Sequence, residues 1–243
     1  MAGPAIGIAA LAVDHAGSRT RELQPAPRVR AASVVKPLLA WGAANCGPFA
    51  NDRTAWEVLA RPGVTTSDNK ATAALWSRSG GERLVASLND RLGLGWHVEG
   101  DGEHPSLRLM VTAGELARAY AALASDDTDV GSQLRQWMCE VPTEQTFGLR
   151  RVACDTLAVE EGAVGLKCGW FGGERAHAIV LVETQGRTVG AAVTTSWSPD
   201  AATRAAVRAA IGHDMKLAAA HDILAGEDIR SATRRALLVA SEL

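Results

Sequence analysis

Two hydrophobic patterns divide this chain, and their order restricts the folds open to it. Residues 5–13 (Ala-Ile-Gly-Ile-Ala-Ala-Leu-Ala-Val) form a small and β-branched run that Asp14-His15-Ala16-Gly17 closes as a turn before a second, more polar strand. Far along the chain, Ala176–Glu183 and Arg187–Trp197 flank Thr184-Gln185-Gly186, the signature of a β-hairpin. Between these ends, residues 32–44, 52–61, 68–78, 80–92 and 112–124 carry helical patterns. Asn45-Cys46-Gly47-Pro48 stops the first of them, and Thr112 stands at the capping-box offset from Glu115. A further long amphipathic helix is expected over Ala201–Ala220, after Ser198-Pro199-Asp200. Strands at both ends with helices between predict an α+β fold rather than alternating βαβ units. The expectation is an antiparallel sheet built from both chain ends and flanked by helices, with an inserted all-α lobe. Residues 1–40 and 155–243 would form the discontinuous sheet domain, and 41–154 the helical one.

Charge and composition narrow the function. With 243 residues, 47% of them hydrophobic, the chain can bury a substantial core, and its net charge of −2 is interspersed along the sequence. No basic footprint for nucleic acid and no polybasic membrane patch is present, which points to a small molecule or another protein as partner and leaves the oligomeric state open. Cys46, Cys139, Cys154 and Cys168 lack zinc-ligand spacing and are expected as free thiols, with no metal and no cofactor. The apolar N-terminus has no charged leader region and reads as a strand, so the chain as written is expected in the cytoplasm, or secreted if a leader has been removed.

Lysine usage locates the chemistry. Only four lysines stand against 21 arginines, and three of the four lie in or beside short polar clusters: Ser33-Val34-Val35-Lys36, Ser67-Asp68-Asn69-Lys70 and Lys167-Cys168-Gly169. Arginine cannot give up its proton, whereas a buried lysine can. Ser33 and Lys36 are three apart, so on a helix they share a face and the amine can reach the hydroxyl. Pro37 has no N–H and is tolerated near a helix start, which places Ser33 at or just before the first turn. There, backbone N–H groups can stabilise an oxyanion and a neutral lysine can activate the serine. Ser67-Asp68-Asn69 also reads as an Asx turn capping the next helix, and both readings can hold together. His177, on an apolar strand, reads as a core or surface imidazole rather than a base.

Taken in this order, the three clusters arise by accident in about one chain per thousand. Ser-x-x-Lys, Ser-Asp-Asn and Lys-x-Gly in succession resemble the signature of the serine β-lactamase and penicillin-binding protein superfamily, most closely class A β-lactamases. The resemblance covers roughly residues 5–220 and includes the turn after Gly165-Leu166-Lys167-Cys168-Gly169-Trp170. It implies a serine acyl-transfer hydrolase forming an acyl-enzyme on Ser33 with a lactam, amide or ester, β-lactam hydrolysis being the named activity it supports. Lys36 would be the general base or a proton relay, and Ser67 the proton shuttle to the leaving nitrogen. Asn69 would bind the substrate amide, and Lys167 its carboxylate. The N–H groups of Ser33 and Trp170 would form the oxyanion hole, and Gly169 would leave room for substrate along the strand.

This sequence departs from the family pattern at several points. Cys168 stands where a hydroxyl residue is usual, removing an expected donor to the substrate carboxylate. Trp170 puts a large ring beside the expected oxyanion site. Glu99 and Glu103 are the loop carboxylates available as a deacylation base, but neither has the family's partner asparagine four residues on. The stretch from Ser33 to Ser67 is shorter than in class A enzymes, which implies a more open cleft. The alternatives are an intracellular amidase, esterase or acyltransferase of a biosynthetic pathway, and a binding or regulatory module that keeps the fold without turnover.

Overall fold

The computed structural model describes residues 5–101, 104–171, 175–196 and 229–243. The run read at 5–13 is strand β1 (Ala5–Asp14), which turns back as β2 (Gly17–Gln24). The later strands are β6 (Val164–Phe171) and the hairpin β7 (Arg175–Thr184) and β8 (Arg187–Ser196). They assemble in the order β2-β1-β8-β7-β6 with every neighbour antiparallel, so strands from both chain ends share one sheet as expected. Gln185 and Gly186 both take positive φ, 49° and 75°, the turn geometry that matches the twist of a two-residue hairpin loop. β2 is an edge strand and almost wholly exposed; its Arg19, Arg21 and Glu22 keep that edge polar.

Helices α1 (Lys36–Ala43), α2 (Arg53–Thr65), α3 (Asn69–Arg78), α4 (Glu82–Leu92) and α5 (Ala113–Ala124) follow the predicted segments closely. The capping box on α5 is made as predicted: Thr112 Oγ1 accepts the Glu115 N–H while the Glu115 carboxylate accepts the Thr112 N–H. α2 runs past its expected end at 61 with Pro62 inside it. The N–H that Pro62 lacks would have served the carbonyl of Val58, a residue 66% exposed, where water can take its place. Helices α6 (Asp129–Cys139), α7 (Leu149–Leu157) and α8 (Ile229–Glu242) are additions to the sequence reading. α8 buries a stripe dominated by alanine, which gives little hydrophobic contrast along the chain. The helix expected over Ala201–Ala220 lies outside the described residues.

β1 is apolar on both faces because both are covered. Ala9, Leu11, Ile179, Leu181 and Ala192 face the helical lobe and share one core with α1, α4 and α5. Ile8, Ala10, Ala12, Val180 and Val193 face the opposite way and are covered by α7 and α8. Each fully buried aliphatic side chain contributes about 1.5–3 kcal/mol of transfer free energy, so both layers matter to stability. The boundaries expected at 40/41 and 154/155 fall inside α1 and α7. α1 packs within the helical core, whereas α7 joins the outer layer because its Leu149, Val152 and Ala153 need the sheet to cover them. A small second sheet, in the order β3-β5-β4, joins β3 (Val29–Arg30), β5 (Leu109–Val111) and β4 (His97–Val98).

Candidate active site

Ser33 lies in a 3-10 turn, Ala32–Val35, that leads directly into α1. Proline at position 37 dictates this tight entry: its missing N–H leaves the Ser33 carbonyl to accept from the Lys36 N–H instead. Three further contacts fix the turn. The Ala31 N–H donates to the Leu109 carbonyl at 2.8 Å, and the Tyr120 hydroxyl donates to the Val34 carbonyl at 2.6 Å. On the sheet side, a Cβ built on Gly169 would meet the Ser33 nitrogen at 2.5 Å. Gly169 is therefore required because the serine's own backbone occupies the space above it. Ala32, at φ 49°, takes a left-handed conformation unusual for a residue with a Cβ, and Ser67 does the same at 62°. Strain of this kind gathers at functional sites, where the surroundings over-determine the backbone.

Lys36 is 2% exposed and stands between the first two motifs. Its Nζ donates to the Ser67 carbonyl at 2.5 Å and to Asn69 Oδ1 at 2.7 Å, and lies 3.4 Å from Ser67 Oγ. Burial pushes its pKa down to about 8, partly opposed by the Asp68 carboxylate. A neutral amine has two N–H groups and one lone pair. The two short bonds use both hydrogens and leave the lone pair available to accept a proton. Ser33 Oγ forms no hydrogen bond to Lys36 or Ser67 among the described residues, contrary to the reach expected from the three-residue spacing. That spacing assumed an α-helical turn, whereas Ser33 sits in a tighter one and the amine is drawn towards two strong acceptors. Catalytic hydrogen bonds are often loose without ligand.

Asp68 caps α3 by accepting the Ala71 N–H at 2.9 Å, so the capping reading of Ser67-Asp68-Asn69 holds alongside the contacts to Lys36. Lys70 is exposed. Lys167 reaches in from β6, 1% exposed, and donates to the Val64 carbonyl at 2.8 Å. That carbonyl belongs to the last turn of α2, the negative end of the helix dipole. Burial, and then the neighbouring Lys36 cation, push the pKa of Lys167 down to about 7.

The pleat of β6 separates the remaining calls. Lys167 and Gly169 point towards the helical lobe and the serine, while Cys168 and Trp170 point to the opposite face. Cys168 is buried in the outer core, where burial pushes its thiol up to about 12, so it does not stand at the carboxylate-binding position expected of it. The Trp170 ring packs edge-on against Phe147 in the outer layer, with centroids 5.7 Å apart, rather than beside the oxyanion site. Trp96 is 3% exposed in the inner core.

Glu99 is exposed and accepts from the His97 ring at 3.1 Å. Glu103 lies outside the described residues. The part of this loop packed against the Ser33 turn is the 3-10 turn Pro105–Leu107. His104 opens that turn, and its Nδ1 is buried without a partner among the described residues. Two further residues escaped the motif reading. Arg175 and His177 alternate with the outward-facing Ala176 and Ala178, and so share the sheet face of Lys167. Strand alternation was the signal that could have found them.

The family model described as the beta-lactamase enzyme family matches residues 47–218, well over half of the chain. The match takes in Ser67, Asn69 and Lys167 and begins after Ser33 and Lys36. In fold, the chain is similar to a variant of the last common ancestor of Gram-negative bacteria beta-lactamase class A, at 20% identity and a TM-score of 0.67, covering 98% of this chain and 92% of that one. It is also similar to a beta-lactamase from Burkholderia vietnamiensis, at 18% identity and a TM-score of 0.66, with 98% and 91% covered. A beta-lactamase from Desulfarculus baarsii gives 19% identity and a TM-score of 0.64, with 96% and 91% covered. No curated protein matches the sequence.

Proposed function

Since the chain belongs to the beta-lactamase enzyme family, whose serine hydrolases act on small molecules, we propose that Ser33 is its acyl-accepting nucleophile. The observation that carries this reading is the buried Lys36 amine, held by Ser67 and Asn69 at the foot of the turn that Gly169 seats against the sheet. In its neutral form Lys36 takes the Ser33 proton as Oγ attacks the substrate carbonyl. The N–H groups of Ser33 and Trp170 receive the developing oxyanion. As the carbon–nitrogen or carbon–oxygen bond breaks, Ser67 passes a proton to the leaving atom and is resupplied from the Lys36 ammonium. Ser33 is left as the ester. Lys167, with Arg175 on the same sheet face, supplies positive charge for an anionic substrate group.

A lactam, an activated amide and an ester all suit this arrangement. β-Lactam hydrolysis is the reading closest to the family's name, and a biosynthetic acyl transfer is the alternative. Incubation with a chromogenic cephalosporin and with a p-nitrophenyl ester, followed by chromophore release and intact mass, separates them. Turnover with a transient Ser33 adduct is expected for hydrolysis, whereas a lasting adduct that a second nucleophile discharges identifies transfer. Ser33→Ala is expected to lose the adduct and the release together, and release that survives this substitution would sink the assignment.

A further inference from the structure

The β7–β8 ladder breaks off beside the candidate nucleophile, although both strands continue. Backbone pairing runs from Thr184↔Arg187 to Ala178↔Val193 and goes no further, while β8 stays paired with β1 out to Ala5↔Ser196 and β7 with β6 out to Phe171↔Arg175. Two side chains stitch the opening. Thr195 Oγ1 accepts the Ala176 N–H at 2.9 Å and donates to the Ala176 carbonyl at 2.7 Å. The Thr195 N–H donates to His177 Nδ1 at 3.1 Å, and the other ring nitrogen, Nε2, lies 2.9 Å from the Arg30 carbonyl.

These partners define the imidazole. A nitrogen that accepts from a backbone N–H carries no proton, and a carbonyl can only accept, so His177 is neutral with its hydrogen on Nε2. It is 0% exposed and, on β7, stands directly opposite Gly169 of β6, the residue on which the Ser33 backbone rests. Arg30 ends β3 three residues before Ser33, and the Ala32 φ of 49° falls between them. The strained turn is thus held at its upstream end by the His177 and Leu109 contacts, and at its downstream end by Tyr120.

We propose that His177 is a positioning residue for the nucleophile: its neutral imidazole clamps the Arg30 carbonyl to the opened end of the sheet and so sets where Ser33 stands above β6. The inference rests on the assignment of Ser33 as the acyl acceptor. Its function is geometric, because small misplacements of a reacting group are costly even when their cause lies away from the chemistry.

The test compares the wild type, His177→Asn, His177→Gln and Ser33→Ala as full chains. The rate of Ser33 acylation by the p-nitrophenyl ester is read by intact mass, and the melting temperature by circular dichroism. Asparagine can keep the acceptor for Thr195 but does not reach Arg30; glutamine can carry an N–H to where Nε2 stood. At a temperature where all are folded, His177→Asn is expected to acylate roughly 10- to 100-fold more slowly, and His177→Gln to recover most of that loss. A folded Asn variant at the wild-type rate would overturn the clamp, as would a Gln variant no faster than Asn. Should the Asn variant not fold, a folded Gln variant slowed by about tenfold or more overturns the proposal, and one close to wild type supports it. Nitrogen NMR of the wild type decides without any variant: the clamp requires an unprotonated Nδ1 at pH 7, and a protonated Nδ1 refutes it. An adduct that persists in Ser33→Ala, or no Ser33 adduct in the wild type, removes the nucleophile assignment itself. A Ser33 adduct indifferent to His177 removes only the clamp.

Discussion

The two faces of strand β6 do different work within four consecutive residues. Towards the helical lobe, Lys167 and Gly169 meet the end of α2 and the turn that carries Ser33. Towards α7 and α8, Cys168 and Trp170 pack into an apolar layer that holds no part of the candidate site. Neighbours in a sequence motif are therefore not neighbours in function: the two-residue period of a strand sends alternate members to opposite sides. Substitutions on the two faces should separate accordingly, activity falling on one and stability on the other.

The largest effect is expected at Gly169. A methyl group in Gly169→Ala would stand 2.5 Å from the Ser33 nitrogen and 3.1 Å from Ala32 Cβ, and it meets backbone, which cannot swing aside. Displacement of the nucleophile should slow acylation on the order of 100-fold, measurable by stopped-flow with the cephalosporin. A variant that acylates at the native rate would show that the serine turn is not fixed by this contact.

A smaller effect on the same face comes from the two lysine charges. With Lys36 as the proposed base, the acylation rate should climb as pH rises and level off above about 8. Lys167, held near 7, is already largely neutral where Lys36 titrates, so replacing it by methionine should leave the rising limb in place. A rising limb displaced in the variant would show that Lys167 carries charge at that pH. Stability provides a second check. Lys167 is held near 7 in the folded protein, against 10.5 as its ordinary value, so the unfolded chain binds more protons between these limits. Its contribution to stability therefore rises with pH across that window and is least favourable below 7.

The smallest effect should be found on the opposite face. Cys168→Thr restores the hydroxyl usual in the family motif, but places it in the outer core, where it should cost about 1–3 kcal/mol unless a partner is found. Acylation of anionic substrates should be unchanged. A clear gain in their acylation would mean that position 168 reaches the cleft after all.

Much of the fold was legible in the sequence because its signals are local. The run at 5–13, the Gln185-Gly186 turn and the Thr112–Glu115 capping box each state their structure within a few residues, and each forms as read. The alanine-rich stripe of α8 states little, since its apolar character shows only against the sheet it covers. The site followed the same division. The motif order pointed to Ser33, Lys36, Ser67, Asn69 and Lys167, while His177 and the role of Gly169 depend on contacts between residues far apart in the chain.

What the sequence determined by itself is which groups can do the chemistry: a serine at a helix entry forced tight by Pro37, and two lysines able to lose a proton. Only the tertiary structure decided how they are poised. The depressed pKa values of Lys36 and Lys167 come from burial, joined at Lys167 by the charge of Lys36. The strain at Ala32 and Ser67 persists because packing outweighs it, and the side assigned to Cys168 and Trp170 follows from the register of β6 against β7. Each depends on desolvation or close packing across the fold, which residue spacing along the chain cannot encode.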